Sequence, residues 1–152
     1  MQTVKYEQLS QLQREALNAA SEVLKNSYSP YSHFYVGASI LAKNRKIISG
    51  ANIESASYGL TLCAERAALA EANNKGIRML EGIAIVTRGE GFNTIMPSMS
   101  CGACRQWIYD FAQISEKDLF ILSANTDQSK IVSTTISKLF PGAFGHQDLG
   151  VE

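Results

Sequence analysis

The chain has 152 residues, 45% of them hydrophobic and 18% charged, a balance that fits one globular domain and excludes a disordered or collagen-like chain. Fourteen Lys and Arg offset fourteen Asp and Glu, which removes the electrostatic footprint of a protein that grips duplex nucleic acid or an anionic membrane. A small neutral ligand stays open.

No repeat, low-complexity tract or linker divides residues 1–152, so a single domain is expected. The opening residues lack the apolar run of a signal peptide, and no stretch approaches the ~20 apolar residues of a membrane span. A reducing cytoplasmic setting is therefore expected. Residues 5–26 place Leu9, Leu12, Ala16, Ala19, Ala20, Val23 and Leu24 at helical spacing and predict a helix. Pro30 pushes Ser29 out of helical backbone and ends it. Residues 36–41 predict a strand, Lys43 to Lys46 a turn, and residues 47–50 a return strand. Thr61 to Asn74 is rich in helix formers, with Gly76 at the C-cap position. Residues 82–87 predict a buried strand, 88–98 a loop, 102–112 a helix, and 119–123 and 131–135 two more strands. The order α-β-β-α-β-α-β-β predicts an α/β fold: a mixed five-stranded sheet flanked by helices.

The chemistry concentrates in Cys63-Ala64-Glu65 and Cys101-Gly102-Ala103-Cys104. Three cysteines cannot all pair internally. In a C-x-x-C turn, residues i and i+3 share a helix face and can meet one ion. A third thiolate completes three corners of a tetrahedron, leaving the fourth free, as in catalytic zinc sites. Thiolates select zinc over magnesium or calcium. All three cysteines fall near predicted helix N-termini, where backbone N–H groups favour thiolates. Three thiolates on Zn²⁺ still leave excess negative charge, and Arg66 is the nearest residue to offset it by hydrogen bonding to a sulfur from outside the ligand set. Arg66 also reads as a surface ion pair. Glu65 lies two residues from a ligand, close enough for general acid–base work beside a metal-bound water without binding the metal. Alone it reads as a helix N-terminal glutamate, and the C-x-x-C alone also permits a redox pair.

A glutamate two residues after a first ligand, followed by C-x-x-C, is the signature of zinc-dependent nucleoside and base deaminases, including a three-cysteine variant. Residues 28–32 (Tyr-Ser-Pro-Tyr-Ser), Phe34, Val36-Gly37-Ala38, Asn52-Ile53-Glu54, Ala56, Tyr58, Cys63-Ala64-Glu65-Arg66, Cys101 to Gln106 and Pro141 to Gly145 together resemble cytidine deaminase of the small, three-cysteine, homotetrameric type. The likeness runs from about residue 28 to residue 149. It implies cytidine-deaminase-like α/β/α layers, one zinc per subunit on Cys63, Cys101 and Cys104, and Glu65 as proton shuttle. It further implies Phe34, Asn52, Glu54, Ala64 and Ser100 around the nucleoside. Phe34 packs on it, Asn52 and Glu54 bond the ribose hydroxyls, and the Ser100 carbonyl accepts from the pyrimidine amino group. Ala56, Tyr58 and Phe144 would reach a neighbouring subunit's pocket, and Tyr31 would lie nearby. The implied reaction converts cytidine and 2′-deoxycytidine to uridine and 2′-deoxyuridine with release of ammonia, in pyrimidine salvage.

From the residues alone, Phe34 and Phe144 also read as packing, and Asn52 with Glu54 as a solvated turn. His33 and His146 are read as non-ligands. Four positions depart from the family pattern. Ser100 and Tyr35 stand where proline is usual, Ala51 where cysteine is common, and Trp107 adds bulk. A deaminase of another aminopyrimidine nucleoside, such as a cytosine-containing antibiotic, and a non-catalytic zinc-stabilised protein are the competing readings.

Overall fold

A computed structural model describes residues 1–150. Among them, seven strands form one mixed sheet: β1 (Gln2–Val4), β2 (Phe34–Ala42), β3 (Ile47–Ala51), β4 (Leu80–Gly89), β5 (Phe92–Asn93), β6 (Phe120–Ala124) and β7 (Ile131–Thr135). In space the order is β1-β7-β6-β4-β2-β3, with β5 appended to β4. The β4–β6 pair is parallel and the others are antiparallel. The helices are α1 (Gln11–Val23), α2 (Ala64–Asn74), α3 (Gly102–Ile114) and the short α4 (Ile136–Leu139).

Strand periodicity makes the layers. Successive side chains point to opposite faces. Ala84, Val86, Leu122 and Ala124 therefore meet Ala16, Leu17 and Ala20 of α1. Ile83, Ile85 and Ile121 instead meet Leu69 of α2 and Ile108 of α3. Both faces of the central strands are covered, so these strands read as unbroken apolar runs in the sequence. Two close approaches hold the layers. A Cβ on Gly37 would stand 2.0 Å from the Ala20 carbonyl oxygen, and one on Gly50 would stand 2.4 Å from the Ala68 nitrogen. Glycine lets α1 lie directly on β2, and α2 on β3.

The expected α/β class and all five expected strands are present, and two more strands join them. β1 is three mostly exposed residues, too short to show a period; it exists because it pairs with β7. β5 turns back from β4 inside the expected 88–98 loop, with Gly91 supplying the positive φ of the turn. The helix expected over 5–26 is shorter. Tyr6–Gln8 is a 3-10 turn, and α1 starts after Ser10. Ser10 Oγ accepts from the Gln13 amide at 3.2 Å, while Gln13 Oε1 accepts from the Ser10 amide at 3.0 Å. This reciprocal capping box fixes the helix start.

Candidate metal centre and active site

Two helix starts meet at the cysteines. Cys63 is the N-cap of α2 and Cys101 the N-cap of α3, both in extended backbone and neither using its side chain as a cap. Both sulfurs are thus free of the helix they introduce. Cys104 sits one turn into α3 and is fully buried. Cys63 Sγ lies 3.8 Å from Cys101 Sγ, which lies 3.6 Å from Cys104 Sγ, and all three fall within 4.8 Å of one another. A tetrahedral zinc with Zn–S near 2.3 Å requires S···S separations of about 3.8 Å. The donor set and its spacing therefore fit one zinc, with a fourth corner left for water or substrate.

The charges around the sulfurs are arranged asymmetrically. The Cys104 thiol, hydrogen-bonding toward Cys63, and the Arg66 guanidinium pull the Cys63 thiol down to about 5 against the effect of burial. Cys104 is pushed up, first by that same interaction with Cys63 and then by burial. Arg66 Nη2 donates to the Thr61 carbonyl at 3.1 Å and to Cys63 Sγ at 3.6 Å. Its guanidinium thus lies against the Cys63 sulfur, and no salt bridge to it is found among the described residues. Glu65, in the first turn of α2, is buried at 5% exposure. Burial holds its carboxyl above the ordinary carboxylate range, opposed by its own backbone amide and by the Ser100 side chain. Ala64 is fully buried at the first position of α2.

The other expected contacts gather at the start of β2. Reciprocal backbone bonds of 2.9 Å between Ile53 and Leu62 lay the segment 52–54 beside the approach to Cys63. Phe34 shares its face of β2 with Val36, on the α2/α3 side, whereas Tyr35 points to the α1 side under the Arg88 guanidinium. The Tyr35 departure therefore faces away from the cysteines. Glu54 accepts from the Tyr31 amide at 2.9 Å, the Ser32 amide at 3.2 Å and the Ser32 hydroxyl. Ser32 Oγ in turn accepts from the Phe34 amide at 3.1 Å, so one serine ties Glu54 to Phe34. The Ser32 hydroxyl is also the first cause of the lowered Glu54 carboxyl pKa.

Asn52 is buried, and its carboxamide is committed within the chain. Its Nδ2 donates to Ser29 Oγ at 2.9 Å and to the Phe34 carbonyl at 3.0 Å. Its Oδ1 accepts from the Val36 amide at 2.9 Å and from the Ser27 hydroxyl at 2.5 Å. β3 ends at Ala51; the Asn52 backbone amide still donates to the Val36 carbonyl at 3.1 Å, and its side chain carries the ladder on along β2 to the Val36 amide and the Phe34 carbonyl.

Ala56, Tyr58 and Phe144 lie open on this chain, Tyr58 at 74% and Phe144 at 60% exposure. Tyr58 stacks edge-on against Tyr31 with centroids 5.6 Å apart, beside a cleft of about 260 Å³ that Ser32, Glu54 and Thr61 also line. His33 pairs with Glu90 at 3.0 Å, and neither it nor His146 belongs to the three-cysteine group. Arg105 was not singled out from the sequence. Its Nε donates to the Ser100 carbonyl at 2.8 Å and its Nη1 to the Leu139 carbonyl at 3.1 Å, bracing the residue before Cys101 against α4. Its position directly after Cys104 was the only available signal.

Comparisons with known proteins agree with this geometry. Residues 10–117 match the family model for the cytidine and deoxycytidylate deaminase zinc-binding region. A cytidine deaminase of Halalkalibacterium halodurans is 42% identical over 133 residues, covering 88% of this chain and 94% of that protein. A blasticidin-S deaminase of Bacillus cereus is 33% identical over 136 residues, covering 88% and 92%. The crystal structure of cytidine deaminase from Burkholderia pseudomallei superposes with a TM-score of 0.76 at 33% identity, covering 90% of this chain and all of that one. With the helix starts, the sulfur spacing and the match all in agreement, the chain belongs to the cytidine and deoxycytidylate deaminase family.

Proposed function

We propose that this chain hydrolyses the C4 amino group of cytidine and 2′-deoxycytidine, giving uridine or 2′-deoxyuridine and ammonia. The observation that carries the reading is the buried Glu65 two residues from Cys63, beside three sulfurs at the spacing of a zinc site. A structural zinc site has no use for a buried carboxyl at that place. Zinc held by Cys63, Cys101 and Cys104 supplies Lewis acidity and a water acidic enough to react near neutral pH. Glu65 takes a proton, passes it to ring N3 to make C4 electrophilic, and carries a proton to the departing amine. Its carboxyl, raised by burial, suits a group that must both hold and release a proton. Arg66 offsets thiolate charge at Cys63. The Ser100 carbonyl, with one lone pair taken by Arg105, offers the other to the substrate amino group, next to the Ala64 backbone. Phe34 flanks the base. Glu54, fixed by Ser32, accepts from a ribose hydroxyl, with Asn52 holding the strand that carries Phe34.

The same reading makes residues 1–152 one domain that assembles as a homotetramer, with Ala56, Tyr58 and Phe144 completing a neighbour's site. The exposed Tyr58, Leu60, Ile95 and Phe144 support that assembly, since apolar side chains so open gain by being covered. A cytoplasmic role in pyrimidine salvage follows from the substrate, and no helix among the described residues is long and apolar enough to cross a membrane. The Bacillus cereus relative, a blasticidin-S deaminase, supports a second substrate class of the same chemistry, an aminopyrimidine nucleoside antibiotic.

An ultraviolet time course of zinc-loaded protein with cytidine, 2′-deoxycytidine and blasticidin S, with ammonia measured in parallel, tests both readings. Turnover of the two nucleosides is expected, and Glu65→Gln should lower it by about 10²–10⁴-fold while zinc content holds. Turnover of blasticidin S alone would transfer the assignment to the antibiotic. Flat traces on all three with zinc bound would overturn the enzymatic reading.

A further inference from the structure

We propose that Arg105 is the positioning residue for recognition of the substrate's amino group, its guanidinium tying the Ser100 carbonyl to α4 and aiming the free side of that carbonyl into the site. This assignment, which rests on the function proposed above, makes Arg105 the origin of the preference for an amino-bearing ring. The Ser100 carbonyl lies outside α3, which opens with Cys101 as its N-cap. It takes no part in the helix bonding, so its direction is set by what holds it from outside. Arg105 Nε donates to it at 2.8 Å, and Nη1 of the same guanidinium donates to the Leu139 carbonyl at 3.1 Å. Leu139 ends α4, where a carbonyl likewise has no partner within its helix. One side chain thus answers two carbonyls from separate segments.

The far anchor is firm. Ile136 and Leu139 of α4 are buried, and the Ser137 amide and hydroxyl donate to Asp118 at 3.0 and 2.6 Å. Phe140 meets the Tyr109 ring of α3 edge-on, with centroids 6.3 Å apart. The near end is firm too, since the Arg105 amide donates to the Cys101 carbonyl at 3.0 Å as part of α3. Nε and Nη1 lie in one plane and cannot turn independently, so two acceptors fix that plane where one would not. The Ser100 carbonyl is then held from one side. A carbonyl oxygen accepts twice, and its second lone pair is left for a donor that arrives with the substrate. Cytosine brings such a donor at C4, its exocyclic amino group. A pyrimidine with hydrogen at C4 brings none. Lysine in place of Arg105 would keep the positive charge beside Cys104, but its ammonium is a point charge on a flexible stem and imposes no plane.

The test is calorimetric binding to the zinc-loaded full chain in a Glu65→Gln background, where turnover is slow. Two ligands are compared: cytidine, and the ribonucleoside of pyrimidin-2-one, which lacks the C4 amino group. Adding Arg105→Lys or Arg105→Gln should weaken cytidine by roughly ten-fold, the worth of one well-made hydrogen bond, and leave the pyrimidin-2-one ribonucleoside at its parent affinity. With Glu65 intact, kcat/KM on cytidine should fall in both variants. Melting and zinc content show that each variant is folded and loaded; should Arg105→Gln prove unfolded, Arg105→Lys decides. Parent affinity for cytidine in Arg105→Lys would overturn the inference, since the charge alone would then suffice. So would an equal loss for both ligands, the mark of a residue that only supports the fold. Wild-type protein that binds cytidine with zinc in place but does not turn it over would instead overturn the proposed function, and the difference between the two ligands would still decide the role of Arg105. Failure of wild-type protein to bind either nucleoside would overturn both.

Discussion

Asn52→Ala separates a strand substitute from a substrate contact. The carboxamide makes four hydrogen bonds, two to backbone and two to serine hydroxyls. Ser27 and Ser29 bond each other at 2.7 Å and keep a partner after the change. The Val36 amide and the Phe34 carbonyl do not, because the β2–β3 pairing ends at Gly37, before either of them. Stranding a buried donor or acceptor costs about 1–3 kcal/mol. Both groups are part-buried, so the lower half of that range applies to each, giving roughly 2–4 kcal/mol in all. For a chain of this length that corresponds to a fall in Tm of roughly 4–16 °C. Urea unfolding of the zinc-loaded protein reads the free energy, and steady-state kinetics on cytidine read the site. Freed from its tie, the start of β2 should loosen and Phe34 with it, so KM rises alongside the stability loss. A stability change under about 0.5 kcal/mol with a large rise in KM would refute this account and make Asn52 a ribose contact alone.

Gly50→Ala should destabilise by about 1–3 kcal/mol, since the new methyl meets the backbone of α2 rather than a side chain that can turn away. Because α2 carries Cys63 and Glu65, zinc affinity should fall too, as read by chelator competition. Asp118 governs part of the acid response. Burial raises its carboxyl, but the Ser137 hydroxyl at 2.6 Å and amide at 3.0 Å outweigh it and the net pKa is lowered. A carboxylate depressed in the folded state stabilises above its unfolded pKa, near 3.9, and loses that contribution as pH falls through the lower folded value. Asp118→Asn should therefore flatten the decline of Tm below about pH 4 while changing the shape little near neutrality; an unchanged acid limb would refute the role.

The parts of this protein that a sequence shows are those whose cause is local. Residues 82–87 and 119–123 are apolar because both their faces are covered, and that burial is written in consecutive letters. The sulfur cluster was legible because a helix start folds Cys101 and Cys104 together, and the nearness of a carboxyl to it because Glu65 lies two residues from Cys63. Contacts between distant segments were not legible. Asn52 reads in sequence as half of a ribose clamp, and nothing in the sequence signals that its carboxamide also bonds the Val36 amide and the Phe34 carbonyl of β2. Arg105 carries no sequence signal of its hold on the Ser100 and Leu139 carbonyls, the second of them in α4. β1 and β5 escaped for a related reason: each is a strand only because a neighbour offers a ladder.

β1 covers one edge of the sheet. Without Gln2–Val4, the outermost strand on that side would be β7, Ile131-Val132-Ser133-Thr134-Thr135, a run of β-branched residues interrupted by one serine. A bare ladder of that composition is a template on which another chain can add itself. Three residues that contribute little to the core thus protect the protein from its own copies. Loss of the first few residues would show as aggregation before it showed as lower stability or slower chemistry.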